Sequence, residues 1–248
     1  MNQRVALVTG GTGGIGTAIS RRLTQEGYRV VAGYFNRGNH EKAQLWQLQQ
    51  REAGFLIDIS YADLKDPESC LACYLNIRET IGPVDILVNN AGITQDSSFK
   101  KMTFDQWQTV MDTNLTSVFT MTQRVVQDMV ERSFGRIINI SSVNGLRGRF
   151  GQTNYAAAKA GMHGFSKSLA FEVARKGVTV NTISPGYIAT DMIMSVPEEV
   201  RNKILAEIPM GRFGEAEEVA AAVAFLVSND AAYITGANLS INGGQHTY

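Results

Sequence analysis

Seven short runs rich in β-branched and aliphatic residues recur along the 248-residue chain, and segments of helical character separate them. None of these runs alternates apolar with polar residues, as a strand with one solvated face does. Apolar strands joined by helices are typical of a parallel sheet covered on both faces, because each right-handed crossover places a helix after a strand. The chain is therefore predicted to be one α/β domain over residues 1–248, doubly wound around a seven-stranded parallel sheet. The runs are VALVT, RVVAGY, FLIDI, DILVNN, RIINIS, VTVNTIS and NLSI.

Charge and composition exclude several classes of partner. The 23 basic and 23 acidic residues balance, so no nucleic acid and no anionic membrane surface is expected to bind. With 44% hydrophobic and 19% charged residues, the chain is predicted to be a soluble globular protein. The start MNQRVALVTGG has an apolar run too short for a secretory signal, which favours a cytoplasmic location.

Two cysteines, Cys70 and Cys73, form a C-x-x-C in the stretch ESCLACYLNI, which has helical character. No further cysteine or histidine cluster completes a zinc site, so no metal is predicted. Packing of a helix is favoured for this pair over redox chemistry.

A glycine-rich turn, TGGTGGIG from Thr9 to Gly16, follows the first predicted strand and precedes a helix. Glycines allow backbone N–H groups to approach a pyrophosphate, and the helix N-terminus adds partial positive charge. The turn predicts a Rossmann-type dinucleotide site, although a tight turn without a ligand has the same pattern. The cofactor contacts expected here are Gly10, Thr12, Gly14, Ile15 and Gly16.

The second strand ends in GYFNRGN, which contains Arg37 and no acid. A carboxylate at this place binds the ribose of NAD, whereas an arginine accommodates the extra phosphate of NADP. NADP(H) is therefore predicted over NAD(H), with a solvated surface arginine as the alternative for Arg37. Asp58, placed at the end of the third strand, is expected to meet the adenine or else to cap a turn.

Tyr155 and Lys159 lie four residues apart in the alanine-rich run QTNYAAAKAG, so they share one face of a helix. A free tyrosine has a pKa of about 10, too high for acid–base work at neutral pH. A neighbouring ammonium is expected to lower that pKa toward working pH. Taken alone, such a pair also recurs by chance on amphipathic helices, with the lysine covering the ring.

The motifs TGGTGGIG and NNAG, followed by Asn114, Ser142, Tyr155 and Lys159, occur in an order that resembles the short-chain dehydrogenase/reductase family along the whole chain. The resemblance implies that Ser142 and Tyr155 bind the reacting oxygen and that Lys159 holds the nicotinamide ribose and lowers the tyrosine pKa. It also implies that Asn114 helps to hold a proton-relay water. Individually, Asn114 could kink or cap a helix, and Ser142 could satisfy the backbone at a strand end.

Further cofactor contacts are implied by the same resemblance. They come from NNAG and from SPGYIATDM, after the fourth and sixth predicted strands. These contacts are Asn90, Ala91, Gly92, Pro185, Gly186, Ile188 and Thr190. The irregular segment at 186–214 is expected to form a mobile flap at the substrate site.

Within the family, the segments SSVNG, FGQTNYAAAKAGMHGF, TVNTISPGYIATDM and INGGQH are most similar to reductases that act on acetoacetyl-CoA in polyhydroxybutyrate synthesis. Reductases of acyl-carrier-protein thioesters share the catalytic residues, but often differ in the glycine turn and at His163. The resemblance implies that Phe150, Gln152 and Tyr187 line the acyl-CoA site, although Phe150 or Tyr187 could serve only in packing. Arg147 and Arg149 could attract CoA phosphates or an acidic carrier protein.

The expected activity is NADPH-dependent reduction of a short 3-oxoacyl thioester, acetoacetyl-CoA, to its (R)-3-hydroxyacyl product. A carrier-protein thioester is the alternative substrate, and a dinucleotide-binding sensor or scaffold is the non-enzymatic alternative. Family members usually form homotetramers, which is the assembly expected here. The runs 115–129 and 155–173 carry more apolar surface than one sheet face buries, in agreement with a second partner.

Overall fold

The computed structural model describes residues 3–35 and 38–247, without the side chain of Met192. Seven strands form one sheet in the order β3-β2-β1-β4-β5-β6-β7, and every neighbouring pair is parallel. The predicted doubly wound, seven-stranded parallel sheet is therefore confirmed. The strands are β1 (Val5–Val8), β2 (Arg29–Tyr34), β3 (Ile57–Tyr61), β4 (Val84–Asn89), β5 (Gly135–Ile140), β6 (Val178–Pro185) and β7 (Asn238–Ile241).

Helices cover both faces of the sheet. A π-helical turn, Asp112–Thr116, joins the fourth and fifth helices, and a 3₁₀ turn, Ala174–Lys176, follows the seventh. The helices are α1 (Gly14–Gln25), α2 (His40–Glu52), α3 (Pro67–Thr80), α4 (Phe104–Met111), α5 (Ser117–Glu131), α6 (Asn144–Arg147), α7 (Thr153–Val173), α8 (Asp191–Met194), α9 (Glu198–Ala206) and α10 (Ala216–Val227).

Successive strand residues point to opposite faces, which explains why the strands are apolar throughout. In β1, Ala6 and Val8 pack on the side of α1 and α10, whereas Leu7 packs on the side of α3, α5 and α7. Cys70 and Cys73 are free thiols buried in the second of these layers. The interpretation of this pair as helix packing agrees with their position.

The strand order reverses at β1, which lies between β2 and β4. The chain turns to one side after β1 and crosses to the other before β4, so the following segments diverge and leave a crevice at the carboxyl ends of the strands. Hydrogen bonds hold this crevice together. Thr9 Oγ1 accepts the N–H groups of Asn90 and Ala91 at 3.0 and 3.1 Å, and Asn90 Nδ2 donates to the Thr9 carbonyl at 2.9 Å.

A buried polar chain links the central strands to α7. Asn89 Nδ2 donates to Asn139 Oδ1 at 2.8 Å, and Asn139 Nδ2 donates to Ser166 Oγ at 2.8 Å. Thr182 Oγ1 donates to the same Ser166 Oγ at 2.9 Å. Since buried polar groups without partners are costly, this chain fixes how β4, β5, β6 and α7 fit together.

The segment from Gly186 to Gly214, predicted as a flap, contains α8 and α9 and closes on itself at its base. Gly214 N–H donates to the Tyr187 carbonyl at 2.9 Å, and Ala189 N–H donates to the Gly214 carbonyl at 2.8 Å. Its mobility stays a prediction. Among the helices of residues 3–35 and 38–247, none is long and apolar enough to cross a membrane.

Candidate active site

A cleft of about 790 Å³ opens at the carboxyl ends of the central strands, where the reversal of strand order places it. Loops after β1, β4, β5 and β6 and the first turns of α1 and α7 form its walls. Most of the residues predicted to bind the cofactor or to act in catalysis lie along it. These are Gly10, Thr12, Gly14, Ile15, Gly16, Asn90, Ala91, Gly92, Ser142, Tyr155, Lys159, Pro185, Gly186 and Thr190.

The turn between β1 and α1 needs its glycines for steric reasons. Gly10 has a φ of +61°, and a Cβ on Gly16 would overlap the carbonyl oxygen of Gly10. Helix α1 begins without a side-chain cap and without an acid in its first turn, and Gly13 and Gly14 are exposed. The first N–H groups of α1 thus have no side chain competing for them, and this end of the cleft fits an anionic pyrophosphate.

Gly92 separates two predicted catalytic residues. A Cβ at this position would lie 3.2 Å from Asn114 Oδ1 and 3.3 Å from Lys159 Nζ. Asn114 is fully buried in the π-helical turn, and both atoms of its amide bond the backbone of Ile93 at 2.8 Å. Single π-helical turns are frequent at functional sites. Asn114 is thereby held beside Lys159, and its role toward a relay water stays a prediction.

Lys159 is buried on α7 and reaches across to the sheet. Its Nζ donates to the Ile140 carbonyl, at the end of β5, at 2.7 Å. Burial lowers the pKa of this ammonium to about 7. Ser141 Oγ donates to the Lys159 carbonyl at 2.9 Å, so α7 is tied to the end of β5 at two points.

Tyr155 does not have the lowered pKa that the sequence suggested. Burial raises the pKa of its phenol, and a hydrogen bond with Ser142 opposes that effect only in part. The Nζ of Lys159 lies 5.7 Å from the centre of the Tyr155 ring and donates to Ile140 instead. The expectation of a lowered tyrosine pKa is therefore wrong for the protein by itself, because desolvation of the buried phenol is the largest influence on that pKa.

Several predicted residues do not line this cleft. Asp58 lies near the start of β3, partly exposed, and forms an ion pair with Arg29 at 3.1 Å. The expectation that Asp58 meets the adenine is wrong. The run FLIDI suggested that the third strand ends at Ile59, but β3 continues to Tyr61, so Asp58 is its second residue and does not lie at its end. Ile188 packs in the core beside α10. Arg37 lies outside the described residues.

The predicted substrate residues are dispersed around the mouth of the site. Phe150 is 90% exposed. Tyr187 lines a second cavity of about 290 Å³ beside β7, and the Arg149 guanidinium lies 5.3 Å from the centre of its ring. Gln152 is buried and donates to the Asp96 carboxylate at 2.9 Å. Of these three residues, none lines the main cleft directly.

Sequence reasoning missed several residues at the far end of the cleft. Asp63 and Lys65 follow β3, and Lys42 lies in the first turn of α2. Tyr34 is the last residue of β2 and Phe35 follows it; all five residues line the cleft. The register of β3 against β2, which pairs Tyr34 with Tyr61, would have identified Asp63 as the acid at this edge. Sequence periodicity does not fix that register to within two residues.

Comparison with known proteins places this geometry in a family. Residues 4–201 match the family model for short chain dehydrogenases. The chain is 52% identical to the acetoacetyl-CoA reductase of Cupriavidus necator over 99% of both chains, and 52% identical to nodulation protein G of Azospirillum brasilense over 98% of both. It is 46% identical to the 3-oxoacyl-[acyl-carrier-protein] reductase of Haemophilus influenzae over 98% of both. The chain belongs to the short chain dehydrogenase family, and its cofactor is a nicotinamide dinucleotide.

The depressed pKa of Lys159 predicts a pH dependence of stability. An unfolded lysine has a pKa of about 10.4, whereas burial holds that of Lys159 at about 7. Between these values the unfolded chain binds more protons than the folded protein, so stability rises with pH. Between pH ~7.5 and ~9 the free energy of unfolding should gain about 2 kcal/mol from this residue.

Denaturant titrations of the wild-type protein and of Lys159→Met at both pH values would measure this gain as a difference. The variant should lack it, while Lys203→Met, which removes an exposed lysine of α9, should retain it. Equal pH dependence in all three proteins would mean that Lys159 stays charged in the folded state.

Proposed function

We propose that the protein is an NADPH-dependent reductase of short 3-oxoacyl thioesters that converts acetoacetyl-CoA into (R)-3-hydroxybutyryl-CoA. The observation that carries the proposal is the convergence of Ser142, Tyr155 and Lys159 in one cleft with the glycine turn of α1. Similarity to acetoacetyl-CoA reductases over nearly the whole chain supports the choice of substrate.

The cleft fits a dinucleotide at both of its ends. Unblocked N–H groups at the start of α1 suit the pyrophosphate, and Lys42 and Lys65 supply positive charge at the end beside β2 and β3. Gly92 and Gly186 line the opposite end; a Cβ on Gly92 would lie 3.3 Å from Lys159 Nζ, so the absence of a side chain there leaves room beside the lysine. When bound, the nicotinamide supplies the hydride that reduces the ketone carbon.

The residues of the chain supply the proton and hold the oxygen. Tyr155, protonated at neutral pH because burial raises its pKa, donates its proton to the ketone oxygen as the carbonyl is reduced. Ser142 donates a hydrogen bond to that oxygen and stabilises the charge that develops there. Lys159, whose pKa is about 7, exchanges a proton readily near neutral pH. Together with Asn114, which lies beside it, Lys159 restores the proton of the Tyr155 phenol.

The thioester is proposed to enter between the flap and the start of α7. Arg147 Nη2 lies 3.4 Å from Glu207 Oε2, just beyond α9, and Arg149 lies over the Tyr187 ring. Phe150, strongly exposed between them and α7, offers apolar surface to an acyl or pantetheine chain. The same arginines suit CoA phosphates or an acidic carrier protein, so they do not separate the two substrate classes.

Two alternatives remain distinct from this proposal. A 3-oxoacyl-[acyl-carrier-protein] reductase is supported by 46% identity to such enzymes. A nucleotide-binding sensor without turnover is opposed by the presence of Ser142, Tyr155 and Lys159 in one cleft.

A cytoplasmic location belongs to the same proposal, because the free, buried thiols of Cys70 and Cys73 suit a reducing compartment.

The decisive experiment follows NADPH oxidation with acetoacetyl-CoA and with the matching carrier-protein thioester. The wild-type protein should have the higher kcat/KM for acetoacetyl-CoA. Tyr155→Phe should bind NADPH normally but lose at least about a hundredfold in kcat, since general acid catalysis contributes about 10²–10⁴-fold. A higher kcat/KM for the carrier-protein thioester would select the alternative, and tight NADPH binding without turnover of either substrate would select the sensor.

A second prediction concerns Arg37, which we propose contacts the extra phosphate of NADPH. Arg37→Asp should weaken NADPH binding by about 10- to 100-fold, because each charged hydrogen bond contributes roughly 1.5–3 kcal/mol. NADH binding should change little. Fluorescence titration of both cofactors measures the ratio, and Arg175→Asp, in the turn before β6, is the matched charge reversal. An unchanged ratio would assign the phosphate to other cations such as Lys42 and Lys65.

We also propose a homotetramer assembled through α5, α7 and β7. Large exposed side chains lie on each of these elements: Phe119 on α5, Phe171 on α7 and Leu239 on β7. Tyr233, just before β7, is fully exposed as well. Apolar surface concentrated in this way is typical of an interface.

Light scattering at micromolar concentration should give about four times the subunit mass of 27.1 kDa. Phe171→Asp should shift the protein to a smaller assembly, whereas Leu56→Asp, at an exposed position before β3, should not. A fully active wild-type monomer would contradict the proposal.

A further inference from the structure

Three loops that surround Ser142 and Tyr155 are joined by one chain of side-chain hydrogen bonds. Gln152 Nε2 donates to Asp96 Oδ2 at 2.9 Å, and Asn144 Nδ2 donates to Gln152 Oε1 at 3.0 Å. Asp96 follows β4, Asn144 begins α6, and Gln152 immediately precedes α7. Asn144 and Gln152 are both buried, so the bond between them forms away from competing water, whereas Asp96 is exposed and its bond with Gln152 is partly buried.

The carboxylate at one end dictates the polarity of the whole chain. An ionised carboxylate only accepts hydrogen bonds, so the Gln152 amide must turn its NH₂ group toward Asp96 and its oxygen toward Asn144. Asn144 must then present its own NH₂ group to that oxygen. As a result Asn144 Oδ1 is buried without a hydrogen-bond partner. Rotating the Asn144 amide by half a turn would not help, because it would break the bond to Gln152.

The other end of the chain reaches Ser142. The main-chain N–H of Asn144 donates to Ser142 Oγ at 3.2 Å. A serine hydroxyl has one hydrogen and two lone pairs, so an oxygen that already accepts from Asn144 keeps its hydrogen for another acceptor. The reacting oxygen and the Tyr155 phenol are the acceptors on the open side of the site. The position of the Asn144 backbone thus sets the direction in which Ser142 donates.

Packing leaves this segment little freedom to compensate. Gly145 lies directly against α7; a Cβ there would be 2.9 Å from the Lys159 backbone. Gly151 carbonyl accepts from Ser97 N–H at 2.9 Å, and Asn154 Nδ2 donates to the Gln95 carbonyl at 3.1 Å. The loop that carries Asp96 is therefore held against the start of α7. A change in the polar chain is expected to act on the site without moving the sheet.

We propose that Asn144 is a positioning residue of the reaction, which together with Gln152 and Asp96 aims the Ser142 hydroxyl at the reacting oxygen through a hydrogen-bond chain of fixed polarity. The inference deepens the proposed function and rests on it. Asn144 acts through Ser142 and Gln152, not by contact with the reacting atoms.

The fixed polarity provides a sharp test. In Asn144→Asp, the new carboxylate cannot donate to Gln152 Oε1. If the Gln152 amide rotated to donate to the new carboxylate, its oxygen would face the oxygens of Asp96. Adding Asp96→Asn supplies a donor at the far end, so both bonds can form again with the polarity reversed. The variants are Asn144→Asp, Asp96→Asn and the double variant, with Asn76→Asp as control because it adds the same charge on the exposed face of α3.

Steady-state kinetics, NADPH titration and thermal unfolding would be measured for each protein. Asn144→Asp should lose at least tenfold in kcat while NADPH affinity stays within twofold, and the double variant should recover at least fivefold over it. The control should match the wild-type protein. A polar chain that served only folding would lower the unfolding midpoint and leave kcat unchanged, which would overturn the inference.

A second pair gives an independent comparison if Asn144→Asp does not fold. Gln152→Glu sets a carboxylate against Asp96 while keeping an acceptor for Asn144, and adding Asp96→Asn should again restore activity. Wild-type kcat in Asn144→Asp or in Gln152→Glu, or a folded double variant as slow as that single parent, would overturn the inference. Asp96→Asn alone should keep most of its activity, because the oxygen of its amide can still accept from Gln152. The kcat of each variant is compared with that of the wild-type protein on whichever thioester the wild-type protein reduces. If acetoacetyl-CoA is not the substrate, the wild-type protein itself shows this, so that result is distinguished from a failure of the inference about Asn144.

Discussion

The hydrogen bonds between the ends of β1 and β4 are the constraint on which the rest of the site depends. These strands flank the point where the sheet order reverses, and the loops that leave them diverge to form the crevice. Thr9 Oγ1 and Asn90 Nδ2 hold the two loops together across it. The glycine turn starts from one of these loops, and Gly92 lies in the other, against Asn114 and Lys159. The hydrogen bonds between the loops therefore fix the N-terminus of α1 relative to Asn114 and Lys159.

A second constraint is the attachment of α7 to β5. The spacing of Tyr155 and Lys159 predicted that they share one face of a helix, and in the structure Lys159 donates from that face to the Ile140 carbonyl. This bond and the bond from Ser141 fix the distance between α7 and the sheet. Tyr155 lies one helical turn before Lys159, on the same face of α7. The four-residue spacing thus places one residue against the strand and the other in the cleft.

Features that depend on local sequence were predictable, and features that depend on long-range register were not. Apolar strands without alternation predicted the seven-stranded parallel sheet, and glycines in the first turn predicted where α1 begins. The sequence pattern placed Asp58 at the end of β3 and did not indicate Asp63, because the end of β3 is set by its pairing with β2, which no local pattern records. The hydrogen bonds of the polar chain through Asn144 join residues 56 and 8 positions apart in sequence, and only the folded loops bring Asp96, Asn144 and Gln152 together.

The pKa of Tyr155 shows how burial changes the chemical argument. A phenol with a lowered pKa would lose its proton near neutral pH and suit removal of a proton from an alcohol. Burial instead raises the Tyr155 pKa, which keeps the acid form that reduction of a ketone requires. Burial lowers the pKa of Lys159 to about 7. We propose that the two residues have separate roles, in which the tyrosine delivers the proton to the ketone oxygen and the lysine helps to replace it.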